Sequence, residues 1–474
     1  MAKLLFLQNI EYEFLGPMYI ASNARTHGHE VRLCLGSAIA DFQKTIEEFQ
    51  PDLFAFSIMT GSHGWARDLS KELKQRYGKR SIFGGAHPTF FPEFIHEDGV
   101  DLLVRGEGEE AMAEILDHIA AGTDYSGVAN LSCKRPDGRV VCNPVRNLRR
   151  DLDDYPFPDR TLYDALNGKI DRGVRNVITS RGCPFHCTFC FEDSMRELYS
   201  GKGKYVRIRE IEHVIDELKT LKAQHEVRTI YFADDVFGMS RKWLYEFLER
   251  YRKEIGLPFI CLLRADIVAA DPEYARKLAE GGCSTVFFGI ESGNEKTRNE
   301  ILKKNLTNEE IRISAKRLHE VGIRFRTYNI VGLPGESLED AFETLRFNIE
   351  IGADYPWCSV FMPFPGTELT RLAFERGYLS AEFEFNSLSK SFFTGSPLRI
   401  PDIDRICNLQ KFFQTAVLVP QSLPIIRQLI KLPPNRLFDA WFGFVYFVVY
   451  LRSEKKRFSE TLIFATKLPP SARP

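Results

Sequence analysis

A chain of 474 residues is too long for one ordinary hydrophobic core, so two or three domains are expected. Hydrophobic residues make up 44% and charged residues 27% of the chain, which is typical of soluble globular proteins. The net charge of −1, without a long basic block, argues against nucleic acid as a partner, because phosphate binding needs a local excess of Lys and Arg.

The first residues, "MAKLLFLQNIEYEF", contain an apolar run that is too short for a signal peptide and that acidic residues follow at once. We therefore expect a cytoplasmic protein, in which thiols stay reduced. Cysteines that cluster in a reducing compartment indicate metal binding rather than a disulfide framework.

Residues 1–125 alternate short apolar runs with amphipathic segments of helical length. Strands are predicted at "KLLFLQ" (3–8), "EVRLCL" (30–35), "DLFAFSIM" (52–59), "SIFGG" (81–85) and "VDLLVRG" (100–106). Nearly all-apolar strands that alternate with helices indicate a parallel sheet covered on both faces. The predicted fold is α/β, a doubly wound flavodoxin- or Rossmann-like domain, which binds ligands beyond the carboxyl ends of its strands.

Residues 126–168 are predicted to form a linker between two domains. The segment "LSCKRPDGRVVCN" indicates a hairpin that turns at Asp137 and Gly138. The segment "DLDDYPFPDR" (151–160) carries two prolines and four aspartates, which indicate ordered but irregular structure.

Residues 169–394 repeat the alternation on a larger scale. Strands are predicted at "VRNVITS" (174–180), "RTIYFAD" (228–234), "FICLLRAD" (259–266), "STVFFGIES" (284–292), "RFRTYNIVG" (324–332) and "YPWCSVFMPF" (355–364). Six strand–helix units in a row predict a partial (β/α)6 barrel, whose chemistry lies where strands end and loops begin.

Residues 395–474 are predicted to form a helical C-terminal region. It contains "AWFGFVYFVVYL" (440–451), a run without a charge, and residues 421–474 carry nine Lys or Arg against three Asp or Glu. This run is too short to span a membrane, which takes about 20 residues. A buried helix is the favoured interpretation, and the alternative is a helix that lies in a membrane interface, giving the protein a peripheral membrane contact.

The segment "RGCPFHCTFC" (181–190) contains three of the ten cysteines of the chain. Cys183, Cys187 and Cys190 follow the first barrel strand, at the end that carries the chemistry. Thiolates suit zinc or iron–sulfur clusters, and structural zinc needs four protein ligands. His186 is a possible fourth ligand, but so tight a loop strains a tetrahedral cage. Three thiolates on a four-iron cluster leave one iron open for a substrate, and we favour this interpretation over zinc or three incidental thiols.

The C-x-x-x-C-x-x-C spacing after the first strand of a βα barrel resembles the signature of radical S-adenosylmethionine (radical SAM) enzymes. The resemblance implies a [4Fe-4S] cluster on Cys183, Cys187 and Cys190, with SAM chelated to the open iron. In that family, one electron from the cluster cleaves SAM and releases a 5′-deoxyadenosyl radical. The three cysteines are then both metal ligands and catalytic residues, and an electron donor such as flavodoxin or ferredoxin is implied.

Later strand ends resemble SAM-binding segments of the same family, in the same order. They are "YFADDVF" (231–237), "LLRAD" (262–266), "FFGIESGNE" (287–295), "NIVGLPGE" (329–336) and "MPFPGTEL" (362–369). The residues that the resemblance assigns to SAM binding are Phe189, Asp234, Asp235, Arg264, Glu291, Ser292, Gly332 and Leu333. A carboxylate at 234 or 235 suits the SAM ammonium group. The alternative is an ordinary cap for the helix that begins near Ser240.

The first domain resembles the cobalamin-binding domain of one class of radical SAM enzymes. The resemblance rests on "LGPMYIASNARTHGHEVRL" (15–33), "FGGAHPTFFPE" (83–93) and "LVRGEGEEA" (103–111), with "SIMTGSH" (57–63) as a further strand end. The residues that it assigns to cobalamin binding are Ser57, Thr60, Gly84, Gly85, His87, Gly106, Glu107 and Gly108. Glycines at strand ends let a large planar ligand approach the backbone.

One feature departs from this pattern. Cobalamin proteins that ligate cobalt with a histidine usually carry D-x-H-x-x-G after the first strand, where this chain has "QNIEYEFLG" (8–16). We favour cobalt without a protein histidine over a domain that has lost cobalamin. His87 is the available substitute ligand, and we expect it instead to hydrogen-bond within its loop or to the nucleotide tail.

The resemblances imply a cobalamin-dependent methyltransferase that acts on an unactivated carbon of a small-molecule substrate. The aromatic, basic-flanked C-terminal region favours a substrate that is large and apolar. Oxidative ring closure, as in anaerobic tetrapyrrole cyclases, is the alternative within the same layout. An iron–sulfur electron carrier is less favoured, because it would not need the SAM-like segments. A non-catalytic cobalamin sensor is less favoured, because it would not need the three cysteines.

Overall fold

The structure is a computed structural model that describes residues 1–455 except 136, 167–172, 386–387, 389–392 and 394. The chain divides into two compact units. The first comprises Met1–Ile170 and Ser194–Arg207, and the second comprises Asp171–Asp193 and Ile208–Pro474. Within the described ranges, no helix has the length and apolarity that a membrane crossing requires.

The first unit is built on one sheet with the strand order β2-β1-β3-β4-β5-β6-β7 among the described residues. The strands are β1 (Lys3–Gln8), β2 (Glu30–Leu35), β3 (Leu53–Ser57), β4 (Ser81–Gly84), β5 (Leu102–Val104), β6 (Leu131–Lys134) and β7 (Val140–Cys142). The helices are α1 (Leu15–Thr26), α2 (Ile39–Phe49), α3 (His63–Tyr77), α4 (Ala86–Phe90) and α5 (Glu109–Ala121). Short 3-10 turns lie at Pro92–His96 and Arg160–Leu166. The strands β1 to β5 are parallel, in the order typical of flavodoxin-like folds.

Alternate residues of β1 show why this sheet is covered on both faces. Leu4 and Phe6 belong to one hydrophobic cluster, which includes residues of α1 and α5. Leu5 and Leu7 belong to another cluster, which includes residues of α2 and α3. Since successive side chains of a strand point to opposite faces, both faces are buried, and the predicted doubly wound fold is confirmed.

The predicted hairpin after residue 130 is confirmed and extends the first sheet. The strands β6 and β7 pair antiparallel, and β6 pairs antiparallel with β5. Gly138 has a φ of 83°, which the turn requires and which glycine adopts without strain. The segment that was predicted as a linker therefore contributes two strands and a 3-10 turn to the first unit.

The second unit is built on a parallel sheet whose strand order among the described residues is β15-β14-β13-β12-β11-β8. The strands are β8 (Val174–Val177), β9 (Ser180–Arg181), β10 (Arg207–Ile208), β11 (Thr229–Phe232), β12 (Phe259–Leu262), β13 (Cys283–Glu291), β14 (Arg324–Val331) and β15 (Tyr355–Val360). The strands β9 and β10 form a separate two-stranded sheet. The other six strands follow one another across the parallel sheet in chain order, with β8 and β15 at its edges. The six predicted strands are all present, and the partial barrel is confirmed.

Helices follow the barrel strands and cover them. They are α6 (Phe191–Leu198), α7 (Ile211–Gln224), α8 (Arg241–Glu254), α9 (Ala265–Ala270), α10 (Pro272–Gly281), α11 (Asn308–Glu320), α12 (Leu338–Glu350) and α13 (Glu368–Glu375). Four of them follow a Ser or Thr whose side chain accepts a backbone N–H, at Ser240, Thr307, Ser337 and Thr367. Such caps satisfy N–H groups that a helix leaves unpaired at its start.

The C-terminal region is helical, as predicted. It comprises α14 (Ile403–Leu418), α15 (Leu423–Leu429) and α16 (Arg436–Ser453), with a 3-10 turn at Pro420–Ser422. The helix α14 packs on β15 and α12, and α16 packs on α14. The prediction of a buried helix at 440–451 holds for one face of α16 only. Phe442 and Val449 are buried, whereas Trp441 and Phe444 are exposed, because α14 covers only one side of the helix.

Candidate active site

The three cysteines lie in one loop between β9 and α6. Among the described residues, none of the three forms a disulfide bond, and all three are partly buried. Gly182 enters the loop with a φ of 86°, and the N–H of Cys190 donates to the carbonyl of Cys187 at 3.0 Å, so the backbone coils tightly. The loop begins at the carboxyl end of the first barrel strand, where the sequence predicts it.

Burial and mutual repulsion govern the ionisation of these thiols. Burial, together with the charges of nearby carboxylates and cysteines, raises the pKa of Cys183 to about 11 and the pKa of Cys190 to about 12. Burial also raises the pKa of Cys187, while the positive charges of Lys304 and Arg264 oppose this rise. The three sulfurs therefore share one environment and form a single group of soft donors.

His186 does not complete a fourth position in this group. Its side chain is 68% exposed, and its Nδ1 lies 2.7 Å from Asp193 Oδ1 on α6. The ring is therefore held toward solvent by the helix that follows the loop. Among the described residues, no three His, Cys, Asp or Glu side chains are arranged as ligands of one metal ion.

Two carboxylates lie beside the first cysteine. The Oε2 atom of Glu192 accepts the N–H of Cys183 at 3.0 Å. Burial, together with the charges of Glu192 and Asp234, raises the pKa of Asp235 to about 7, and the N–H of Gly182 partly opposes this rise. A bound cation would favour the ionised forms of both carboxylates.

Asp234 plays a different part from Asp235. Its Oδ1 atom accepts the N–H of Thr179 at 3.0 Å and the hydroxyls of Thr179 and Ser180 at 2.8 and 2.5 Å. Burial raises its pKa, and these hydrogen bonds oppose that rise. The carboxyl group thus holds the turn from β8 into β9, which leads to the cysteines, and Asp235 is the better placed of the two for a ligand.

Positive groups lie on the opposite side, beside Cys187. Arg264 is buried, lies 3.0 Å from Asp266 Oδ1, and stacks over the Phe185 ring at 3.7 Å. Lys304 Nζ lies 2.7 Å from Glu291 Oε1, and both side chains are less than a tenth exposed. Removing both charges of such a pair from water costs free energy, and only a close contact between them offsets this cost.

The backbone around this ion pair is strained. Glu291 has a φ of 64°, a left-handed conformation that L side chains seldom adopt. A Cβ at Gly289 would lie 1.9 Å from Glu291 Oε1, so the carboxylate rests on a glycine. Lys303 and Asn305, on either side of Lys304, also have positive φ values of 50° and 51°. Strain of this kind concentrates at functional sites.

The remaining residues assigned to SAM binding lie in the same unit. Phe189 packs against the core with Lys304 Nζ 5.7 Å from its ring centroid. Ser292 is fully buried, and its carbonyl accepts from Arg298. The N–H groups of Gly332 and Leu333 both donate to Glu336, a buried carboxyl whose pKa burial raises to about 8.

Aromatic rings line the interior of the partial barrel. Tyr231 on β11 and Phe287 on β13 contact at 5.7 Å, although β12 lies between their strands, so both rings stand on the concave face. Tyr328 continues the row at 6.1 Å from Phe287, and Trp357 at 4.8 Å from Tyr328. Arg326 lies over the Phe287 ring at 4.2 Å. The interior thus combines a row of aromatic rings with a buried ion pair, between Arg326 and Glu454.

The first unit has a cleft at the carboxyl ends of β1, β3 and β4. Its space is about 480 Å³, part of it open to solvent. The cleft is lined by Leu7, Gln8, Asn9, Ile10, Phe14, Ser57, Ile58, Met59, Ser62, Trp65, Gly85 and Ala86. Ser57 and Gly85, two residues assigned to cobalamin, therefore line it. Gly84, at the end of β4, directly precedes Gly85.

Gly85 and His87 have clear structural roles. Gly85 has a φ of 96°, and a Cβ there would lie 2.7 Å from the Ile58 carbonyl oxygen, so only glycine fits. His87 is buried and stacks on His63 at 4.1 Å and on Phe91 at 4.6 Å, while its Nδ1 lies 3.1 Å from Thr60 Oγ1. Burial lowers the pKa of His87 to about 3. The ring thus packs in the core, and the expectation that His87 does not ligate cobalt stays a prediction.

The loop 106–108 is held by the segment Ser194–Arg207 of the same unit. The Tyr199 hydroxyl accepts the N–H of Glu107 at 2.7 Å, and a Cβ at Gly106 would collide with that hydroxyl. Arg207 pairs with the Glu107 carboxylate. Gly108 directly precedes α5. The side chain of Glu107 is thus engaged within the protein, and only the backbone of this loop remains as a candidate for ligand contact.

Two family models and several known proteins are similar to this chain. Residues 177–347 match the model of the radical SAM superfamily, and residues 11–116 match the B12 binding domain. An uncharacterized methyltransferase of Pyrococcus horikoshii (PH0819) is 32% identical over 375 residues, which are 77% of this chain and 79% of that protein. The chain belongs to the radical SAM superfamily.

Two further proteins resemble this radical SAM enzyme. The anaerobic magnesium-protoporphyrin IX monomethyl ester cyclase of Rubrivivax gelatinosus is 27% identical over 354 residues, which are 70% of this chain and 60% of the cyclase. The radical SAM methyltransferase TsrM of Kitasatospora setae has a similar fold, with a TM-score of 0.66 at 19% identity over 79% of this chain and 76% of TsrM. The two-domain layout of a cobalamin-dependent radical SAM enzyme is therefore established for this chain.

The residues of the radical SAM site fit its cofactors. Three partly buried cysteines within one loop suit a cluster that needs three protein ligands, and the His186 side chain is exposed and contacts Asp193. The carboxyl groups of Asp235 and Glu192 lie near Cys183. The cations of Arg264 and Lys304, which pair with Asp266 and Glu291, lie near Cys187, so groups of both signs are present for a zwitterionic amino acid group.

Several residues around these sites were not predicted from the sequence. Lys304 and Glu192 flank the cysteine loop, and Tyr199 and Arg207 hold the loop 106–108. None of them follows a barrel strand, which was the signal that selected the other residues. Lys304 lies between two left-handed residues, Lys303 and Asn305, and this arrangement becomes recognisable only once the backbone is known.

Proposed function

We propose that this enzyme transfers a methyl group to an unactivated carbon of a non-polymeric substrate that is bulky and apolar. The observation that carries this proposal is the three-cysteine loop at the carboxyl end of the first barrel strand, in a chain that also matches the B12 binding domain. The relative with 32% identity is named a methyltransferase, which favours methyl transfer over other radical reactions.

When bound, the [4Fe-4S] cluster with SAM supplies a 5′-deoxyadenosyl radical, and cobalamin supplies the methyl group. Cys183, Cys187 and Cys190 hold the cluster. Asp235 and Glu192 provide negative charge for the SAM ammonium group, and Arg264 provides positive charge beside Cys187. A reduced flavodoxin or ferredoxin delivers the electron.

The barrel interior supports an apolar substrate. Tyr231, Phe287, Tyr328 and Trp357 form a continuous aromatic wall on its concave face. Aromatic side chains bury large apolar areas and stack on flat ligands. Such a wall also keeps water away from a radical, which water-exposed groups would otherwise quench.

Anaerobic reconstitution with iron, sulfide, reductant, SAM and methylcobalamin tests the chemistry. We expect 5′-deoxyadenosine to form, and the variant in which Cys183, Cys187 and Cys190 are all alanine to lose both the cluster absorbance and SAM cleavage. The variant Cys407→Ala, at a buried cysteine on α14, is the matched control and should retain both. SAM cleavage by the triple variant would contradict the assignment.

Oxidative ring closure is the second candidate, because the cyclase of Rubrivivax gelatinosus is 27% identical to this chain. Methyl transfer adds a methylene unit to the mass of the product and forms S-adenosylhomocysteine together with 5′-deoxyadenosine. Ring closure lowers the product mass by the lost hydrogens and forms no S-adenosylhomocysteine. Mass spectrometry of a turnover mixture therefore separates the two functions.

A further inference from the structure

An apolar patch stands exposed on the C-terminal helices. Most of the large apolar side chains that are exposed in the described part of the chain lie between residues 418 and 444. They are Leu418, Val419, Ile425, Leu432, Leu437, Trp441 and Phe444, which together we call the C-terminal patch. Single exposed apolar residues are common, whereas a contiguous group marks an interaction site.

Four residues of the patch lie together, because one face of α16 adjoins the end of α14. Leu437, Trp441 and Phe444 follow at spacings of four and three residues, so they share one helix face, and they are 80, 43 and 63% exposed. The indole N–H of Trp441 donates to Thr415 Oγ1 at 2.9 Å. Leu418, one turn after Thr415, therefore lies beside this face.

The charges around the patch are positive. Both carboxylates of residues 418–455 are already paired, Asp439 with Lys411 at 2.8 Å and Glu454 with Arg326 at 2.9 Å. The exposed cations of this segment are Arg427, Lys431, Arg436, Arg452 and Lys455. Within the described residues, none of these five forms an ion pair with a carboxylate. The segment thus combines exposed apolar side chains with five exposed cations that, among the described residues, pair with no carboxylate.

We propose that the C-terminal patch docks this protein on the surface of an anionic lipid bilayer, with α16 lying in the interface. Apolar side chains with basic residues beside them are the composition that binds such surfaces, since the acyl boundary takes the former and the headgroups attract the latter. Trp441 suits the boundary because its ring is exposed while its N–H is satisfied within the protein. This docking is independent of the proposed methyl transfer.

Vesicle sedimentation with the full-length protein tests the proposal. We expect the protein to bind vesicles of phosphatidylcholine with phosphatidylglycerol about tenfold better than vesicles of phosphatidylcholine alone, and added salt to reduce this preference. Leu437→Ser with Phe444→Ser should lower binding about tenfold, because both side chains are exposed and their loss leaves the core intact. Lys431→Glu with Arg436→Glu should abolish the preference for the anionic vesicles.

The matched control is Lys44→Glu with Lys316→Glu, which reverses two charges that are not part of the patch and are 87 and 77% exposed. It should bind vesicles as the wild type does. Circular dichroism and SAM cleavage confirm that each variant is folded. Equal binding by the patch variants and the wild type would overturn the proposal. So would a wild-type dimer that ignores vesicles and becomes monomeric in the patch variants, because the patch would then bind a second copy of this chain.

Discussion

Lys304 and Glu291 form a buried ion pair near the cysteine loop, so loss of either partner leaves a buried charge unpaired. Lys304→Met leaves the Glu291 carboxylate without its partner, so we expect a loss of about 3 kcal/mol in the free energy of unfolding, together with weaker SAM binding. Chemical denaturation and SAM titration of the reconstituted enzyme measure the two effects.

A neighbouring lysine supplies the control for this variant. Lys303 pairs with Glu368 at 2.6 Å on the surface, and Lys303→Met should cost no more than about 1 kcal/mol. The double variant Lys304→Met with Glu291→Gln should recover most of the lost stability but not the SAM affinity. Full recovery of both would show that the pair has only a structural role.

His87 makes stability depend on pH. Its pKa in the folded protein is lowered to about 3, so the folded state keeps the ring neutral while the unfolded chain takes up a proton below about pH 6.5. Stability is therefore complete above that pH and is lost as pH falls, by up to about 1.4 kcal/mol per pH unit. In His87→Phe, which keeps the ring stack with His63 and Phe91, denaturation midpoints should fall less steeply between pH 6.5 and 4. Parallel curves for the two proteins would refute this origin.

At the scale of elements, the turn after β4 shapes the cleft of the first unit. Gly85→Ala puts a Cβ 2.7 Å from the Ile58 carbonyl at a φ of 96°, so the backbone that lines the cleft must shift. We expect the purified variant to bind cobalamin at least about tenfold more weakly in a spectroscopic titration.

Gly78→Ala is the matched variant for this element. Gly78 has a φ of 66° at the end of α3, and a Cβ there meets nothing within 4 Å. It should cost about 1 kcal/mol in stability and leave cobalamin binding unchanged. If both variants bound cobalamin as the wild type does, the cleft would not be the cobalamin site.

Elements with buried strands could be predicted well from the sequence. β1, β3 and β13 are apolar runs between turn residues, because a parallel sheet covered on both faces buries most side chains of its inner strands. The pairing of β6 with β5 could not be predicted, since an antiparallel hairpin carries no signal for the strand that it joins.

In the candidate site, too, some features could be predicted from the sequence and others could not. The cysteine loop could be predicted because its ligands lie together in the sequence. The separate parts of Asp234 and Asp235 could not, because they depend on the hydrogen bonds that Thr179 and Ser180 make across the sheet. Lys304 reaches Glu291 through two left-handed residues that no sequence pattern specifies.

At the scale of the whole molecule, the last helix is tied into the barrel. Arg326 on β14 pairs with Glu454 at the end of α16, and both side chains are nearly buried. Glu454→Gln leaves the Arg326 charge without a counter-ion, so we expect a loss of about 3 kcal/mol in the free energy of unfolding. Thermal denaturation detects this loss. Arg452→Gln, at an exposed arginine of the same helix, should be neutral, and equal losses in both variants would contradict this account.

The course of the chain through its two units also limits which fragments of the protein can be expressed as intact units. Ser194–Arg207 belongs to the first unit but is joined at both ends to the second. A gene fragment that stops near residue 168 therefore lacks Tyr199 and Arg207 and leaves the 106–108 loop without the two side chains that hold it. The N-terminal half should be recovered as an intact cobalamin carrier only when this peptide is grafted back or the full polypeptide is expressed.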